Sequence, residues 1–221
     1  MHGNPEYRFV LPRAQDIFKP ATCLFVTLMI IGYVLTLWLP NIVVPWLALS
    51  VHGMANARIW QLITYPFVGS CTLVKVFDIL FVLLLGSAVE REWRTRSYLI
   101  LWLVVSVATG LLWLLASLLF MRGAVGTQAV ACVMGIVAAF GLLFRKRTYF
   151  FWFAVLEAQT IAWILIGVEI LLCLPVPINL VWVLGALIAY LYIRFLWQRE
   201  QNNRYHHPAQ GIISSGFVDI D

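Results

Sequence analysis

Apolar runs of membrane-spanning length, set apart by short polar breaks, make up most of this chain. The first run is Ala21–Leu39, ended by Pro40. At 1.5 Å per residue it is long enough to cross a hydrocarbon core of about 30 Å. The pattern then becomes irregular over Asn41–Ser70, where Pro45, Trp46, His52, Gly53, Asn56, Arg58, Trp60 and Pro66 separate short apolar pieces. No second span fits there. Amphipathic pieces lying in the membrane interface do fit, with Trp46 and Trp60 as anchors at headgroup level. Further runs follow at Leu73–Val89, Tyr98–Phe120, roughly Thr127–Phe144, Tyr149–Leu174 and Ile178–Trp197. The pattern therefore predicts an all-α membrane protein of six transmembrane helices. It divides into an N-terminal segment 1–20, a membrane domain 21–197 with an outer interfacial loop at about 40–70, and a polar, partly disordered tail 198–221.

Composition agrees and excludes alternatives. The chain of 221 residues is 62% hydrophobic and 11% charged, with a mean hydropathy of +0.91. Soluble domains carry about 25% charged residues, so a soluble fold is ruled out. The net charge of +5 is read first as topology and not as nucleic-acid binding. Met1–Pro20 lacks the features of a cleaved signal or a transit peptide. The four cysteines, Cys23, Cys71, Cys132 and Cys173, have no CxxC spacing and read as small packed hydrophobes.

Charge also gives the orientation. With the N-terminus inside, Arg58, Lys75 and Arg122 fall outside and the other twelve of the fifteen Lys and Arg fall inside. That asymmetry is what the positive-inside rule produces for an even number of spans, with both ends in the cytoplasm.

Several motifs then point the same way. Ile59–Phe67 (IWQLITYPF), Gly86–Trp93 (GSAVEREW), Ala139–Phe144 (AFGLLF) and the stretch from Gly185 through Ala189 to Phe195 occur in order along the chain. Together they resemble the core of the rhomboid family over about residues 20–197. The resemblance implies a rhomboid-like bundle. It also implies the places where an intramembrane serine protease carries its Ser–His dyad and its oxyanion donors. Aligned without gaps, the helix-four Ser falls on Val130 and the helix-six His on Trp182. The helix-two His and Asn fall on Val74 and Asp78. A second register, over Gly123–Gly126, also holds no Ser. The histidines are His2, His52, His206 and His207, none of them inside a predicted span. Val and Trp cannot relay a proton as base or acid. Ser50 and His52 are near in sequence, but they sit in a loop and read as coincidence. HExxH is absent, and paired intramembrane aspartates are absent too.

The expectation is therefore a rhomboid-like pseudoprotease, not an enzyme, with no cofactor and no metal. It would bind or scaffold other transmembrane proteins in quality control, trafficking or assembly. Its partners would be membrane proteins and the lipid bilayer, without nucleic acid. A structural subunit of a larger membrane complex, and a rhomboid-family protease in fold only, are the competing readings. A small transporter is disfavoured by the lack of inverted halves and of a midplane charge cluster. Gln128, Asp78 and Trp182 are the candidate client contacts, with Gln128 and Asp78 lining an open outer cavity. An i,i+3 ion pair of Asp78 with Lys75 is the simpler role for that carboxylate. Gly185 and Ala189 form a small-xxx-small pair for close helix packing. The expected location is a bacterial inner membrane.

Overall fold

The computed structural model describes residues 19–69, 73–120, 125–145, 147–151, 154–175 and 179–206. Helix α1 is Pro20–Trp38, with Pro20 pre-setting φ at its first position. Helix α2 (Pro40–Leu47), strand β1 (Leu49–Ser50), helix α3 (Val51–Ala55), helix α4 (Gln61–Thr64) and a 3-10 turn at Tyr65–Phe67 build the irregular loop. Helix α5 (Leu73–Phe81) runs on through a π-turn at Val82–Gly86 into α6 (Ser87–Glu92). Helix α7 is Thr95–Phe120, and β2 is Val125–Gly126. Helix α8 (Val130–Leu143) precedes strands β3 (Thr148–Phe151) and β4 (Ala154–Glu157). Helices α9 (Ala158–Cys173) and α10 (Leu180–His206) complete the fold.

Two of these helices, α1 and α7, are long and apolar enough to cross a membrane by themselves. Helices α8, α9 and the stretch Leu180–Leu196 of α10 are apolar but shorter. Helix α8 shows why a short helix suffices at the centre. Every residue from Val130 to Gly141 is buried. A helix buried all round faces protein and not lipid, so it need not match the bilayer thickness. The outer helices are apolar on both sides. Leu24, Leu28, Ile31 and Leu35 of α1 are exposed at helical spacing, while Phe25, Met29 and Tyr33 point inward. Phe25 stacks on Trp102 of α7 at 4.1 Å, which fastens α1 to α7.

Two sequence expectations need correction. Tyr149–Leu174 reads as one helix, but its first part is a β-hairpin, pairing Thr148 with Glu157 and Phe151 with Ala154. Thr148, Tyr149, Phe150, Phe151 and Val155 are aromatic or β-branched, types that favour extended backbone. Helix α9 is left with 16 residues, about 24 Å. Glu157 is thus an exposed residue that ends β4 and is not inside a helix. The tail also differs, because α10 continues past Trp197 to His206. Residues 207–221 lie outside those described, as does Cys71. Cys132 and Cys173 are free and buried and Cys23 is free and partly buried, as packed thiols should be.

The irregular loop is tied down by its polar groups. Nε2 of the fully buried Gln61 donates to Pro45 O at 3.1 Å, and its Oε1 accepts from Ser50 N at 3.3 Å. The Trp60 ring N–H donates to Trp46 O at 2.9 Å, and Thr64 Oγ1 donates to Leu47 O at 2.8 Å. Trp46 and Trp60 remain exposed and stacked, as interfacial anchors would be. Strand β1 pairs with β2, Leu49 opposite Gly126, so this loop and the segment after α7 share one end of the bundle. At the opposite end Arg147 lies 3.9 Å from Glu92.

Candidate functional site

Helices α8 and α10 carry Val130 and Trp182. Their close approach follows from the small residues in α10. A Cβ on Gly185 would collide with the backbone of Ala131 in α8, so only glycine permits this crossing. Ala189, one turn on, is fully buried. Gly185 is thus the point where α10 crosses α8. The crossing brings Val130 and Trp182 to the same end of the bundle. Val130 precedes Ala131, and Trp182 lies three residues before Gly185.

Neither position offers chemistry. Val130 is buried. Trp182 is 1% exposed and sits between two rings. Trp113 of α7 stacks on it at 5.6 Å and 18°, and Tyr65 packs at 5.4 Å and 30°. The Tyr65 hydroxyl donates to Ser106 O at 3.1 Å, and Ser106 Oγ donates to Leu62 O at 2.8 Å. The hydroxyl of Ser106 is thus committed to a carbonyl, with no histidine beside it. Gly126 closes the stack, because a Cβ there would press on Trp182 and Trp113. The loop pair also resolves as structural. Ser50 Oγ caps α3 by accepting from Gly53 N at 3.0 Å, while His52 Nε2 meets Asn56 Nδ2 at 3.1 Å. No group of three or more metal-ligating side chains occurs among the described residues.

The predicted client contacts divide. Trp182 is closed off by Tyr65 and Trp113, so a client would reach it only after that stack moved. Asp78 is 6% exposed and Lys75 8%, and Lys75 Nζ lies 3.2 Å from Asp78 Oδ2. The i,i+3 pair forms, and both of its side chains are buried. A cavity of about 570 Å3 does open at this end. Val44, Pro45, His52, Arg58, Leu118 and Val125 line it, and neither Gln128 nor Asp78 does. Gln128 remains half-buried just before α8. Val74, the other oxyanion position, lies in the first turn of α5, and Gly123 and Ala124 of the second register lie outside the described residues.

The buried pair gives a test. Lys75→Met leaves a carboxylate without its counter-charge, and the carboxylate can limit the damage by taking up a proton. We expect a loss of about 2 kcal/mol for Lys75→Met, the cost of a buried acceptor left without its donor. The double variant Lys75→Met/Asp78→Leu should recover most of it, since replacing both partners by apolar groups is often neutral. Thermal unfolding in detergent measures both, and a double variant as unstable as the single would contradict the pairing.

Sequence reasoning missed Tyr65 and Trp113, the two rings that hold Trp182. Both sit far from Trp182 in the chain, and an apolar pattern does not say which aromatic side chains will meet.

Helices that are apolar on their exposed and their buried faces define this chain as an α-helical integral membrane protein. It belongs to the family described as "Eukaryotic integral membrane protein (DUF1751)", whose model matches residues 22–217. No curated protein matches the chain. The family is eukaryotic, which leaves the expected bacterial inner membrane without support.

Proposed function

We propose that the chain is a rhomboid-like pseudoprotease that binds or scaffolds other transmembrane proteins and does not cleave them. In this reading six helical segments cross the membrane, with both ends on the cation-rich side. The observation that carries the proposal is the aromatic stack at Trp182. Rings fill the volume where a base and a nucleophile would stand, and α8 still meets α10 through Gly185. The reading is supported further by the two ends of the bundle. Residues assigned outside meet through β1 and β2, and Glu92 and Arg147, assigned inside, meet at the other end. Of the three named client contacts, Gln128 is the one a client reaches without displacing the stack or the ion pair.

The test has two arms. The full chain in proteoliposomes is incubated with a transmembrane substrate and a fluorophosphonate probe. The expected result is neither cleavage nor labelling, and labelling within residues 20–206 would overturn the proposal. In the second arm a photo-crosslinker is placed at residue 127, beside Gln128, in native membranes. It should capture a transmembrane protein, and Gln128→Ala should lower the yield at least threefold. An unchanged yield removes Gln128 from the client surface.

A further inference from the structure

A cavity of about 460 Å3 opens at the end of the bundle opposite the irregular loop. Lys19, Pro20, Glu90, Arg91, Arg94, Thr95 and Arg96 line it, so four cations face one carboxylate. That carboxylate is already engaged. Glu90 is buried and accepts from Ala21 N at 3.1 Å, Thr22 N at 2.8 Å, Thr22 Oγ1 at 2.8 Å and Thr95 Oγ1 at 2.9 Å. The next acid along the chain, Glu92, turns toward Arg147. No carboxylate among the described residues is paired with Lys19, Arg94 or Arg96. The first turn of α7 also lies here. The positive end of a 26-residue helix favours an anion at that point.

We propose that this cavity binds the phosphate headgroup of an anionic phospholipid. The guanidinium groups of Arg94 and Arg96 supply planar, multidentate donors suited to phosphate oxygens. The neighbouring side chains favour a lipid over a free phosphate. Leu24 and Leu28 on α1, and Leu99, Ile100 and Leu103 on α7, are exposed apolar side chains that begin within about two turns of the cavity. A headgroup held among the cations would leave its acyl chains beside hydrocarbon. This site is independent of the client-binding proposal, since it lies at the other end of the bundle.

Native mass spectrometry of the full chain in nonionic detergent tests it, with dioctanoyl phosphatidic acid, dioctanoyl phosphatidylcholine and inorganic phosphate as probes. Phosphatidic acid should bind at one site per chain, at least tenfold tighter than either other probe. Arg94→Gln/Arg96→Gln should weaken it about 30-fold, from about fivefold for each basic side chain lost at an anionic surface. Arg94→Lys/Arg96→Lys keeps the charge but loses the planar donors, so it should weaken binding about threefold, well short of the Gln variant, and shows that the fold tolerates change there. Arg145 is a cation outside the cavity that donates to Gln159 at 2.7 Å, and Arg145→Gln should leave binding within twofold. Equal weakening by Arg145→Gln would mean a diffuse basic surface and would overturn the site. Unchanged binding in Arg94→Gln/Arg96→Gln would overturn it as well. Inorganic phosphate binding as tightly as phosphatidic acid would overturn the lipid as its source.

Discussion

Replacing Glu90 by alanine is expected to cost about 5 kcal/mol, because four hydrogen bonds to a charged group are lost together. Two of the donors are Ala21 and Thr22 backbone N–H groups in the first turn of α1, which have no partner within their own helix. The other two are the hydroxyls of Thr22 and Thr95. One carboxylate therefore joins the start of α1 to the end of α6 and the start of α7. Its negative charge also sits at the positive end of α1, a favourable placement. Glu90→Gln keeps the shape but loses the charge and turns one acceptor into a donor facing donors. It should cost about half as much as Glu90→Ala. At 2–4 °C per kcal/mol for a chain of this size, Glu90→Ala should lower the midpoint of thermal unfolding by about 15 °C. A shift of less than about 3 °C would show that α1 is held by its packing and not by this cap.

Gly185→Leu is the second large effect. The atoms that a Cβ would meet are Ala131 backbone atoms, and backbone cannot rotate away as a side chain can. The helices must separate, and the separation propagates. Trp182 lies one turn earlier on α10, so its stack with Tyr65 and Trp113 must open as well. The expected loss is about 3 kcal/mol or more, at the upper end for overpacking. Gly185→Ala should cost about 2 kcal/mol by the same contact. Intrinsic tryptophan fluorescence gives a second readout, since Trp182 and Trp113 leave a buried environment. A Gly185→Leu protein with native thermal stability and unchanged emission would contradict the close crossing of α8 and α10.

What the sequence made legible followed physical rules of short range. Long apolar runs marked α1 and α7, and proline and tryptophan marked the interfacial loop. Spacing of four between Gly185 and Ala189 marked a close helix contact, and spacing of three between Lys75 and Asp78 marked an ion pair. The burial of that pair was not legible, because it depends on what covers α5. The hairpin at β3 and β4 was hidden by hydropathy, which scores Tyr149–Leu156 alike as helix or strand. The role of Glu90 was the largest omission. It lies in a charged cluster that reads as a positive-inside stop, and its partners stand 68 and 69 residues earlier. That Val130 and Trp182 are neither serine nor histidine needed only the residue identities. The enclosure of Trp182 needed Tyr65 and Trp113, which three-dimensional packing alone brings together.

The burial of α8 on every side has a consequence for biosynthesis. Ribosomes deliver α8 well before α10, so its Gly185-facing side near Ala131 waits for α10 to arrive. A nascent chain stalled before Leu180 would present that side open within the bilayer. Stable packing of α8 would then depend on α10 closing over it.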